Sequence, residues 1–149
     1  MTQDVFLKDT WPIIEEKLNL GAEVTINPGG VSMKPLVIPG RDSVVLTKVS
    51  EELKKYDVVL YIRENGQFVL HRIVGICDGK FVMCGDNQFR WEYGIEKGQI
   101  IALMKAVIRN KKKIQTDAFG YKLYSRVWVQ IQRFNYMLRR LRRKILRIK

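Results

Sequence analysis

Long apolar runs are missing from this sequence, histidine is nearly so, and the last third holds almost no acid. Nowhere do about 18 apolar residues follow one another, so no membrane-spanning helix is expected. The opening stretch, MTQDVFLKDTWP, carries two acids and only a short apolar run. No secretory leader is read there, and a cytosolic chain is expected. Two cysteines, Cys77 and Cys84, make no disulfide framework. They are expected to be small core residues in adjacent strands. With the single histidine they still fall short of four ligands, so no metal or other cofactor is expected.

What is present divides sharply by charge. Residues 1–104 hold 12 Lys/Arg and 14 Asp/Glu, whereas residues 105–149 hold 15 Lys/Arg and one acid, Asp117. The net charge of +12 therefore belongs to the tail. Such asymmetry implies an anionic partner for the tail, a membrane surface or nucleic acid.

At 149 residues the chain fits one domain with an appendage. Asp9-Thr10-Trp11-Pro12 reads as a helix start, with Pro in the first turn. Gly21 closes that N-terminal element, residues 1–21. Residues 22–110 then read as a mainly β domain. Its strand candidates are 22–27, Ser43–Val49, Asp57–Arg63, Gln67–Ile76, Lys80–Cys84 and Gln99–Arg109. Asn65-Gly66 is a strong hairpin signal between the third and fourth. Residues 111–118 read as a basic linker. From residue 119 to 149, Tyr124, Trp128, Ile131, Phe134, Leu138, Leu141, Ile145 and Ile148 recur at helical spacing. Basic residues fill the other faces.

Candidate chemistry sits in three segments. Ser32 follows Gly29-Gly30 on a bend where the backbone can approach a substrate closely. A serine hydroxyl needs a base to become a nucleophile. The only histidine, His71, lies in the strand VLHRIVG and titrates near neutrality. A carboxylate commonly orients such a histidine. Asp86, in the turn Cys84-Gly85-Asp86-Asn87-Gln88, and Glu92, six residues on, are the candidates.

The ordered pattern G-x-S-M-x-P, H-R-I-V and G-D-N resembles the signal peptidase I family, in the branch that uses histidine as base. Pro39-Gly40-Arg41-Asp42 and Asp57-Val58-Val59 match the same pattern, and the resemblance covers about residues 22–108. It implies a LexA-like coiled β-sheet domain, here between a short N-terminal helix and a long basic amphipathic one. It implies a serine endopeptidase acting through an acyl-enzyme, with Ser32 as nucleophile and His71 as general base. Glu92 stands nearest the family's acidic position, with Asp86 in reserve. Gly30, Met33 and Pro35 are expected substrate contacts, Met33 on the pocket floor. The substrate implied is a leader or signal-like peptide with a small residue before the scissile bond. Family members ordinarily carry an N-terminal span. This chain looks like a compact bacterial relative in which the C-terminal helix takes the anchor's place.

The C-terminal helix is expected to lie peripherally on the cytosolic membrane face, or to pack its first half on the β domain as ordinary core; the two are compatible, with residues 121–131 docking and residues 134–149 free. Trp128 and Phe134 would enter the acyl boundary, and Arg139, Arg140, Arg142 and Arg143 would meet anionic headgroups. Interleaved large apolar residues disfavour nucleic acid, because phosphate binding needs no such stripe. The alternative to an enzyme is a non-catalytic module that holds an extended peptide in a strand-lined groove. A LexA-like regulator is disfavoured, since no helix-turn-helix precedes the domain and no lysine stands at His71.

Overall fold

The computed structural model describes residues 3–146, with the side chains of 7–139, 141 and 142. Helix α1 spans Gln3–Asn19. Strands β1 (Val24–Ile26), β2 (Asp42–Thr47), β3 (Val58–Ile62), β4 (Phe68–Cys77), β5 (Lys80–Cys84), β6 (Glu92–Ile95), β7 (Ile100–Arg109) and β8 (Lys112–Gln115) follow. Helix α2, Phe119–Leu146, closes the chain.

The strands form one antiparallel sheet in the order β1-β2-β7-β3-β4-β5-β6, with β8 paired to β7. Asn65-Gly66 turns β3 into β4, which sets Val59 opposite His71 and Tyr61 opposite Val69. Because side chains alternate along a strand, Val59, Tyr61, Val69 and His71 share one face. Val59, Tyr61 and Val69 pack there with Ile73, Met83 and Leu103. On the opposite face Val58, Leu60 and Leu70 pack with Trp11 and Leu18 of α1 and with Met33. Both faces of the central strands are thus covered, which explains their near-continuous apolar runs.

Three expectations change. α1 begins at Gln3, so Pro12 lies inside the helix rather than in its first turn. The segment read as a linker is a hairpin: Asn110 and Lys111 both take positive φ, 49° and 65°, and return the chain as β8 against β7. Charge hid it, since Lys112 and Lys113 lie on an edge strand that is exposed throughout. Lysine on an edge is a common guard against further strand pairing. Cys84 is buried, but Cys77 is exposed at the turn end of the β4–β5 pair, opposite Lys80.

Candidate functional site

Ser32 sits on the loop between β1 and β2, and three anchors hold that loop. Met33 plugs it into the core, 3% exposed. Asp42, at the start of β2, accepts from the Ile38 N–H and from the Arg41 and Arg109 guanidiniums. Burial alone would raise the Asp42 carboxyl, but these donors hold it well below the usual carboxylate range. The third anchor is the β5–β6 turn. The Asn87 N–H donates to Ser32 O at 2.7 Å, and Asn87 Nδ2 donates to Val31 O at 3.3 Å.

That turn brings serine and histidine together. A methyl added at Gly85 would lie 2.6 Å from Ser32 O, 3.0 Å from His71 Nε2 and 3.1 Å from Ser32 Cβ. Ser32 Cβ and His71 Nε2 therefore lie within about 6 Å of each other, beside a residue where no side chain fits. Ser32 is half-buried and His71 is buried. His71 Nε2 has no hydrogen-bond partner among the described residues.

The other imidazole nitrogen is spoken for. His71 Nδ1 lies 3.3 Å from the Tyr61 hydroxyl, and that hydroxyl donates to Glu92 Oε2 at 2.9 Å. Arg63 holds the same carboxylate through Nε at 2.9 Å to Oε1 and Nη2 at 2.6 Å to Oε2. Burial pushes the Glu92 carboxyl up, but the hydrogen bonds from Arg63 and Tyr61 outweigh this and leave it below its ordinary value. An ionised carboxylate only accepts. The Tyr61 proton therefore points at Glu92, and the phenol oxygen accepts from His71 Nδ1–H. The consequence is a neutral imidazole with its lone pair on Nε2, the atom beside Ser32. Burial, then the positive charge of Arg63, lowers His71 from 6.5 to about 4, with Glu92 opposing in part.

This order of donors is open to direct measurement on the only histidine in the chain. Imidazole nitrogen-15 shifts of the wild type should report Nδ1–H and a bare Nε2 at neutral pH. Tyr61→Phe should blur them toward a mixture of tautomers. A wild-type proton on Nε2 would overturn the assignment.

Glu92 thus reaches His71 only through Tyr61, a residue that sequence reasoning missed. The signal was present, since a hairpin centred on Asn65-Gly66 puts Tyr61 diagonal to His71. Asp86 does not orient His71. Its carboxylate takes Arg72 Nε at 2.8 Å and Nη2 at 2.7 Å, with both side chains fully buried, and accepts from the Tyr124 hydroxyl at 3.0 Å. Of the expected substrate contacts, Gly30 is exposed near the Ser32 hydroxyl. Met33 is core rather than an open pocket floor. Pro35 lines a cavity of about 320 Å³ with Leu36, Ile114, Tyr121 and Tyr124.

Helix α2 packs behind the same turn. Trp128 Nε1–H donates to Asp86 O at 2.9 Å. Gln132 Nε2 donates to Gly85 O at 2.8 Å and to Asp86 O at 3.0 Å. Arg72 Nη1 donates to Ser125 Oγ at 2.8 Å. Trp128, expected at lipid, is instead turned inward and stacked on Tyr124. Phe134 is 56% exposed. Arg139 lies over the Phe89 ring at 3.7 Å, and Arg142 is exposed. The side chains of Arg140 and Arg143 lie outside the described residues.

Among the described residues no group of three His, Cys, Asp or Glu is placed to hold a metal ion, and no helix is long and apolar enough to cross a membrane. No family model and no curated protein matches the chain.

Proposed function

We propose that this chain is a serine endopeptidase of the signal peptidase I kind, on a LexA-like coiled sheet, cleaving a leader or signal-like peptide after a small residue. The reading is supported by one observation: Ser32 Cβ and the unbonded Nε2 of His71 flank Gly85, within about 6 Å of each other. Ser32 Oγ attacks the scissile carbonyl carbon as Nε2 takes the hydroxyl proton. The collapsing intermediate receives that proton on its leaving amine, which leaves an ester on Ser32. Water, deprotonated by the same nitrogen, then releases the acid and regenerates the serine. The Ser32 N–H is the candidate donor to the oxyanion; loss of one such donor costs about 100-fold or more. Tyr61 and Glu92 hold the imidazole tautomer and stabilise its charged form.

A serine-reactive acylating probe tests this, with the adduct located by mass spectrometry. Labelling is expected at Ser32 in the wild type and absent in Ser32→Ala. His71→Ala should slow it by orders of magnitude. A folded wild-type protein that never labels at Ser32, and that cleaves no peptide with a small residue before the scissile bond, would leave a peptide-binding module as the better reading.

A further inference from the structure

We propose that the outward face of α2 lies on an anionic lipid surface. The helix has two faces, and the domain uses only one. Tyr121, Ser125, Val129 and Gln132 are buried against the sheet and the β5–β6 turn. On the other side Leu123, Val127, Ile131, Phe134, Leu138 and Leu141 are each 38–56% exposed. They recur every three or four residues, so they form one continuous apolar stripe along the helix. Natural monomers rarely leave such a stripe bare.

Charge selects what covers it. Residues 119–149 hold ten Lys/Arg and no acid. Exposed Lys122, Arg126 and Arg133 run beside the stripe, four and seven residues apart. Val127, Ile131, Phe134, Leu138 and Leu141 would also satisfy a heptad seam between two copies. Pairing two such helices, however, sets cations against cations with no carboxylate to compensate, and like charges penalise that seam. Nucleic acid would satisfy the cations and leave the apolar residues wet. An anionic bilayer satisfies both, taking the apolar residues at the acyl boundary and the cations at the headgroups. The membrane contact is thus made by the stripe from Leu123 to Leu141, while Trp128 on its flank donates to Asp86 O. The inner face of the same helix holds the carbonyls of Gly85 and Asp86.

Flotation of the full chain with vesicles provides the test, and it does not depend on the chemistry at Ser32. Wild type should float with phosphatidylcholine vesicles containing phosphatidylglycerol, and far less with pure phosphatidylcholine. The triple variant Ile131→Gln, Phe134→Gln, Leu138→Gln should lose partitioning by about 100-fold, while its thermal unfolding midpoint stays unchanged because all three side chains are exposed. Reversing Lys122, Arg126 and Arg133 to Glu should abolish the preference for anionic lipid. Wild type that stays with the lipid-free fraction, or variants that float as well as wild type, would overturn the proposal. So would a lipid-free dimer, seen by sedimentation, that the triple variant dissociates.

Discussion

Asp86→Ala should lower stability by about 3–5 kcal/mol, a loss of roughly 10 °C or more in Tm for a chain of this size. The reason is burial. Arg72 and Asp86 expose none of their side chains, and the guanidinium gives the carboxylate two parallel N–H bonds. Its Nη1 donates to Tyr56 O and Ser125 Oγ. Burial opposes the Arg72 charge, but Asp86 more than restores it and holds the guanidinium above its ordinary value. Deleting the carboxylate leaves that cation dry and unmatched, and the Tyr124 hydroxyl loses its acceptor as well. An exposed pair would contribute a fraction of this. Two controls separate the explanations. Because the pair is out of water, 1 M salt should leave the wild-type and variant difference unchanged. The double variant Arg72→Met, Asp86→Leu should recover much of the loss, since two apolar side chains of similar size remove the stranded charge. A Tm within about 2 °C of wild type for Asp86→Ala would mean that water reaches Arg72.

The same pair shows what the sequence discloses and what it hides. His71-Arg72 and Gly85-Asp86-Asn87 stand out as motifs, and the β3–β4 hairpin follows from Asn65-Gly66. The role of Asp86 does not follow, because adjacent residues on β4 point to opposite faces. His71 looks toward Tyr61, while Arg72 looks toward α2. A search for a carboxylate beside the histidine passes over Tyr61, since the acid acts one hydroxyl away. Strand β6 is four residues long, and β8 reads KKIQ; both are too short or too charged for periodicity to register. On α2 the apolar pattern crosses from one face to the other: Tyr124 and Trp128 dock on the Asp86 turn, whereas Ile131, Phe134, Leu138 and Leu141 stay exposed. The surface α2 covers mixes apolar Val74, Val82 and Cys84, packed against Val129, with backbone carbonyls and a guanidinium, so the docking face carries Ser125 and Gln132 beside its apolar residues. Hydrophobic periodicity finds the helix but does not separate its two faces, and it misses the hydrogen bonds that seat the helix.

If His71 is the base, its removal should cost peptide hydrolysis a factor of about 10⁶, and the wild-type pH profile should carry an unusual acid limb. A general base works in its neutral form, so kcat/KM falls as pH drops through its pKa. An ordinary imidazole would put that limb near 6.5; here burial and the charge of Arg63 bring it to about 4. Activity should therefore be flat from about pH 5.5 through neutrality, with the limb centred near 4. Arg63→Met should move the limb upward, because it removes a repelling cation and leaves the Glu92 charge unopposed. Tyr61→Phe should lower kcat/KM about ten- to a hundredfold, the worth of one buried hydrogen bond, by releasing Nδ1–H. Stability carries the same sign. The unfolded chain takes up a proton below about 6.5 and the folded chain only near 4, so acid costs the fold about 3 kcal/mol across that window. That loss is absent above pH 6.5 and should vanish in His71→Gln. A limb near 6.5 in the wild type would mean that water reaches the imidazole, and the Tyr61–Glu92 arrangement would then not be what holds Nε2 bare beside Ser32.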